Sequence, residues 1–222
     1  SIITVANTAG NNYGSTIKFN SAETLIKAEG VKTATGVYTD RYSATHFTKA
    51  TTSHLHAASQ NSDAYALLNG GKTNINGAVN LHAVTGAGDA MGLVSRYEVS
   101  GLEFGRDSSG KVTTAAGSNL NINVEAGSGR VMGVMAHEGG DITFGGDLSI
   151  NAKADGDAYG IWANKSNGSV IMANTASKAA VNGNVYIKVD RTANDNDFKL
   201  VRALQATKSG SISINTEGGQ KL

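Results

Sequence analysis

The residues with most chemical potential in this sequence are three histidines and a set of aspartates. His54, His56 and His82 fall on the outward side of two successive repeats, with His56 and His82 in one column. Imidazoles stacked this closely could share a divalent cation, since neutral imidazole is a common zinc ligand. No carboxylate is clearly placed to complete such a shell, and the column also holds Lys27, Asn123, Asn151 and Lys188. The expectation is therefore a solvated polar column with no metal assigned. Asp63, Asp89 and Asp157 hold equivalent turn positions, where Thr33, Arg130 and Lys199 stand in other repeats. Asp63 and Asp89 repel unless a cation lies between them, which makes calcium conceivable there and keeps His56, His82, Asp63 and Asp89 as metal candidates. Asp155-Gly156-Asp157 and Asp195-Asn196-Asp197 are also oxygen-rich, but none of these fits the EF-hand spacing or a glycine-rich nonapeptide calcium repeat. Ordinary turn chemistry, in which Asp and Asn bond nearby backbone, is the expected use. Asp89, Arg130 and Asp157 then form an exposed ladder of alternating charge, worth about 0–1 kcal/mol per pair.

Catalytic constellations are harder to find. Polysaccharide cleavage on a β-helix needs Asp, Lys and Arg converging in a cleft, yet the outward positions Lys18, Asn74, Glu103, Thr143 and Ile171 do not cluster. Asp107-Ser108-Ser109-Gly110 is a poor imitation of a serine-protease nucleophile context and has no His–Asp partnership. No catalytic residue and no cofactor is expected. The loop residues Arg106, Asp107 and Lys111 remain as candidates for binding.

The elements that must position these residues are written as repeats. Six segments share one five-residue pattern: Thr24–Ala28, Ser53–Ala57, Val79–Ala83, Leu120–Val124, Leu148–Ala152 and Val185–Val189. Their centres, Ile26, Leu55, Leu81, Ile122, Ile150 and Ile187, lie 26 to 41 residues apart, a period that marks stacked-repeat proteins. Small or apolar residues alternate with polar ones, as in strands with one buried and one solvated face. A later apolar run follows in each repeat: Ala34–Tyr38, Ala64–Leu68, Ala90–Val94, Val131–Met135, Ala158–Trp162 and Leu200–Leu204. A third short strand precedes the alternating run in most repeats, at Ile17–Phe19, Thr73–Ile75, Leu102–Phe104, Ile142–Phe144 and Val170–Met172.

Three short strands per repeat with no helical pattern predict an all-β, right-handed, three-faced parallel β-helix (a β-solenoid) of about six rungs. Longer insertions fall at Gly105–Gly117, Ala173–Gly183 and Asp190–Phe198, where a solenoid varies its binding surface. The composition agrees. Glycine is abundant at 28 residues, proline and cysteine are absent, and the net charge of +1 leaves no electrostatic footprint for nucleic acid. No run of apolar residues is long enough to cross a bilayer as a helix.

The later apolar run poses a question of orientation. Its centre is small in five repeats (Gly36, Ala66, Gly92, Gly133 and Gly160), whereas Arg202 aligns there in the sixth. An arginine is costly inside a narrow core, which suggests that this column faces outward. Strict alternation would then also send Tyr38, Leu68, Val94, Met135, Trp162 and Leu204 outward, as an apolar stripe for self-association or ligand binding. A bend at the glycine would instead return them to the core, and small central residues are what a sharp bend requires.

Rungs of the form GDLSINAKADGDAYGIWA and GSVIMAN resemble the passenger domains of bacterial autotransporters, with their pertactin-like β-helices, over residues 15 to 215. The resemblance implies a passenger at the bacterial cell surface or shed from it, followed in the full-length protein by a C-terminal membrane β-barrel. It further implies adhesion, autoaggregation or biofilm formation through a host surface protein, a glycan or further copies of itself. On that basis residues 1–222 are one β-helix domain, a fragment of a longer passenger that is an adhesin and not an enzyme. A carbohydrate-active β-helix enzyme, or a stalk presenting a head elsewhere, are the alternatives.

Overall fold

The computed structural model describes residues 3–5, 15–49, 51–96, 110–164, 178–181, 183–192 and 199–214. Every regular element among them is a strand. In chain order these begin with β1 (Ile3–Val5), β2 (Thr16–Phe19), β3 (Glu23–Gly30), β4 (Ala34–Thr39), β5 (Ala44–Phe47), β6 (Thr52–Ser59) and β7 (Ala64–Asn69). They continue with β8 (Lys72–Ile75), β9 (Ala78–Thr85), β10 (Ala90–Arg96), β11 (Lys111–Thr114), β12 (Asn119–Ala126), β13 (Val131–His137) and β14 (Asp141–Phe144). The last are β15 (Asp147–Ala154), β16 (Ala158–Asn164), β17 (Lys178–Val181), β18 (Val185–Arg191), β19 (Val201–Thr207) and β20 (Ser211–Ile214).

Each strand pairs in parallel with the strand three places on, which is the signature of a solenoid. Sheet 1 runs β1-β4-β7-β10-β13-β16-β19, sheet 2 runs β2-β5-β8-β11-β14-β17-β20, and sheet 3 runs β3-β6-β9-β12-β15-β18. The seven- and eight-residue strands of sheet 3 carry the alternating segments in the expected register, with Ile122 opposite Leu81 on one side and Ile150 on the other. Inward columns of Leu, Ile, Val, Ala and Phe from all three sheets form one continuous core. Burial of each large side chain contributes about 1.5–3 kcal/mol. Phe19 and Phe47 stack on adjacent strands of sheet 2 with ring centroids 4.8 Å apart.

Sheet 2 departs from the expected strands. The place between β8 and β14 is taken by β11, and β17 follows β14, so Lys111–Thr114 and Lys178–Val181 fill the positions expected for Leu102–Phe104 and Val170–Met172. Those two triplets lie outside the described residues. β5 was not expected at all. The physical reason is that the inner side of sheet 2 is partly polar. In β5 the Thr45 hydroxyl meets that of Thr39 at 2.7 Å, and in β11 the buried Thr114 Oγ1 accepts the Gly145 backbone N–H at 2.9 Å. Buried hydroxyls with partners cost little, so an apolar pattern is not required there.

Sheet 1 holds the second correction. Register places Val201 opposite Ala158, Arg202 opposite Tyr159, Leu204 opposite Ile161 and Gln205 opposite Trp162. Arg202 is therefore not in the glycine column; Ala203 is, one residue beyond the position that the repeat pattern predicts. The glycine column also faces inward. A β-carbon on Gly92, Gly133 or Gly160 would collide with Ile122, Ile150 or Ile187 of sheet 3. In β16, Gly160 and Ile161 both point to the core, so alternation breaks at the glycine and resumes one residue later with Trp162 outside. Only a residue without a side chain, or with a single methyl, fits two consecutive inward positions against a column of isoleucines.

Candidate functional site

The break in alternation has a chemical result. It places Tyr38, Leu68, Val94, Met135 and Trp162 in one outward column of sheet 1, and Tyr65, Met91, Met132 and Tyr159 in a second column beside it. The two columns form an apolar cluster separate from the core. The bend that would have returned them inward is absent. Leu68, Met91, Val94, Met132 and Tyr159 are buried within the cluster, while Tyr38, Tyr65, Met135 and Trp162 are half-buried. Trp162 and Tyr159 rings stack at 4.9 Å, and the indole N–H donates to Thr207 Oγ1 at 3.1 Å.

A groove of about 330 Å³ opens on this cluster, with Met91, Val94, Met132 and Met135 along it and Tyr65 and Trp162 at its ends. One rim carries Asp63, Asp89 and Arg130; the other carries Arg96, His137 and Asn164. The acidic rim is built by the strand-to-strand turns. Asp63 Oδ1 accepts the backbone N–H of Asp89 at 3.0 Å, Asp89 Oδ1 accepts that of Arg130 at 3.0 Å, and Asp157 Oδ1 accepts that of Leu200 at 2.8 Å. Each aspartate thus stitches one repeat to the next, a use that explains the column without a cation between Asp63 and Asp89. Arg130 Nε donates to Asp89 Oδ2 at 3.0 Å, and that bond raises the arginine pKa further. Tyr65 donates to Asp63 Oδ2 at 3.1 Å; burial first, then the Asp63 charge, pushes its phenol up to about 12. Tyr159 donates to Asp157 in the same way, and burial raises its pKa too.

The other candidates distribute differently. His56 and His82 meet on the outer face of sheet 3 with their Nδ1 atoms 3.0 Å apart, as a hydrogen bond in which one ring donates to the other. His54 instead sits within 3.4 Å of Asn80 Nδ2. Among the described residues no group of three His, Asp or Glu side chains could hold a metal. Asp155 Oδ1 accepts the Thr192 hydroxyl. Lys111 is the exposed first residue of β11, between Lys72 and Asp141, rather than part of a loop. Arg106, Asp107 and the Asp195–Asp197 cluster lie outside the described residues.

Sequence reasoning missed the second apolar column. Met91 and Met132 precede the glycines and looked like ordinary run residues; the signal that could have found them is their alternation with Ala90 and Val131.

These features define a class: a parallel β-solenoid whose outer face carries an apolar, aromatic groove bordered by charge. No protein-family model, no curated protein and no solved structure matches this chain.

Proposed function

We propose that this chain is an adhesive module of a bacterial surface protein, acting by binding and not by turnover. The observation that carries the proposal is the apolar groove outside sheet 1. A solvated sheet face has no folding reason to carry Trp, Tyr and Met in adjacent columns, and an outward cluster of this kind marks an interaction site. Its residue types (Trp162, Tyr65, Tyr159, three methionines and two arginines) are those enriched where proteins bind one another. The partner is accordingly a protein surface, either on a host cell or on another copy of this chain.

This reading extends the resemblance to autotransporter passengers. It takes the solenoid as right-handed, the sense of nearly all parallel crossovers, with about six rungs. It places the module at the bacterial cell surface, ahead of a C-terminal membrane β-barrel in the full-length protein. Weak contacts along a rod, repeated over many displayed copies, give strong attachment through multivalency.

Display of the chain on otherwise non-adherent bacteria tests the reading. Cells carrying the wild-type chain are expected to settle as aggregates or to adhere to host cells. Trp162→Ser with Met135→Ser should abolish this at equal surface expression, while Lys18→Ser on sheet 2 should not. Adhesion unchanged by the double substitution would overturn the assignment.

A further inference from the structure

The outer face of sheet 3 is a second surface whose chemistry is opposite to that of sheet 1. Its two central columns run Leu25–His54–Asn80–Asn121–Ser149–Tyr186 and Lys27–His56–His82–Asn123–Asn151–Lys188. Between their ends lies a shallow groove of about 450 Å³, lined by the amide, imidazole and hydroxyl groups from His54 to Asn151 and by no Asp, Glu, Lys or Arg. Formal charges border it: Lys27 pairs with Glu29 at 2.8 Å, Lys188 pairs with Asp190 at 2.8 Å, and Glu125, whose register partner is Lys153, accepts the Asn123 amide N–H at 3.3 Å.

The polar groups are held in place by one another. Asn121 Nδ2 donates to Asn80 Oδ1 at 2.9 Å, Asn151 Nδ2 donates to Asn123 Oδ1 at 2.8 Å, and His56 and His82 share their own bond. A carboxamide has two N–H donors and two acceptor positions, so the ladders leave further donors and acceptors turned outward in fixed directions. At one end of the groove Tyr186, in register with Ser149, is 62% exposed. It offers an apolar ring face beside a polar edge.

We propose that this face binds a neutral oligosaccharide lying along the stack of strands. Sugar hydroxyls both donate and accept, which matches mixed amides and imidazoles, and the C–H face of a sugar ring packs on the Tyr186 ring. The uncharged lining gives no attraction to sulfated or uronate chains. Polar side chains repeated at the strand spacing of about 4.8 Å suit an extended, periodic ligand better than a compact one. Ordering the side chains before contact lowers the entropic cost of binding. The proposal does not rest on the sheet 1 groove, because no residue of that groove takes part.

The test is titration of the chain with cellohexaose, mannohexaose, xylohexaose and N-acetylchitohexaose, followed by nuclear magnetic resonance of Asn side-chain amides and histidine rings. Heparin and polygalacturonate hexasaccharides serve as charged controls. At least one neutral sugar should bind in the millimolar range or tighter, with shifts centred on Asn121, Asn123, Asn151 and His82. Tyr186→Ala, and separately Asn121→Leu with Asn151→Leu, should weaken it about tenfold or more at an unchanged melting temperature. Trp162→Ser with Met135→Ser should leave it intact. The proposal is overturned if no neutral sugar shifts these residues, if the charged controls bind more tightly, or if the variants bind as the wild type does. Loss of the signals through dimerisation of the chain, with no effect of sugar, also overturns it.

Discussion

Gly133 sits where a single methyl group would change the fold's economy of space. Its missing β-carbon leaves room for the Ile150 side chain, and the Gly160 carbonyl oxygen lies 2.7 Å from where that carbon would stand. Gly133→Val should destabilise by about 1–3 kcal/mol, toward the upper end because the obstruction includes backbone. Chemical denaturation measures this directly, and an unchanged midpoint would mean that the column faces outward after all. Histidine titration is a second effect at this scale. His46, His56 and His137 all have pKa values below the ordinary 6.5, with burial the largest cause in each. Neighbouring charge adds to it, from Lys18 at His46 and from His82 at His56, while Glu29 and Glu138 oppose it at His56 and His137. From about pH 6.5 down to the lowered folded values the unfolded chain therefore binds more protons than the folded one, so stability falls across that window and levels off below it. The melting temperature should drop between pH 7 and pH 5, and His56→Gln with His137→Gln should flatten that drop.

At the scale of the strand, the repeat is a unit of assembly. Asn119 and Asp147 are register partners, so residues 119–146 form one complete turn of the coil. Excising them would bring β9 against β15, β10 against β16 and β11 against β17, with Leu81 facing Ile150 and Leu93 facing Ile161. The shortened chain should keep its parallel-sheet circular dichroism at a lower melting temperature, because interfaces between repeats contribute roughly additively. Excising residues 119–132 instead should abolish folding, since it joins unlike strands. Sheet 3 was legible in the sequence because its strands alternate without interruption and only one face is solvated. Sheet 2 was legible only in part; Thr45 in β5 and Thr114 in β11 hide inner positions behind hydroxyls that find partners inside. The outward face of sheet 1 was reached by a faulty route. Arg202, displaced by one residue, pointed to an outward glycine column, whereas the glycines point inward and the break in alternation beside them turns the aromatic residues out. Side-chain period alone does not reveal two consecutive inward residues.

For the whole molecule, three sheets give three outer faces with different chemistry on one scaffold. Sheet 1 is apolar and aromatic with a charged rim, and sheet 3 carries a hydrogen-bonding groove of amides and imidazoles bordered by charged pairs. Both surfaces are spread over successive strands rather than gathered in one loop, so contact with an extended partner grows with the number of repeats engaged. Trp162 is the chain's single tryptophan and lies half-buried at the end of the sheet 1 groove, which makes it an internal reporter of attachment. Acrylamide quenching of its fluorescence should be intermediate in the free chain and should fall sharply, with a blue shift in emission, once the chain is aggregated or bound to host-cell protein. Quenching that is the same in the free and attached states would show that the groove stays open during adhesion, and would contradict the assignment of this face as the binding surface.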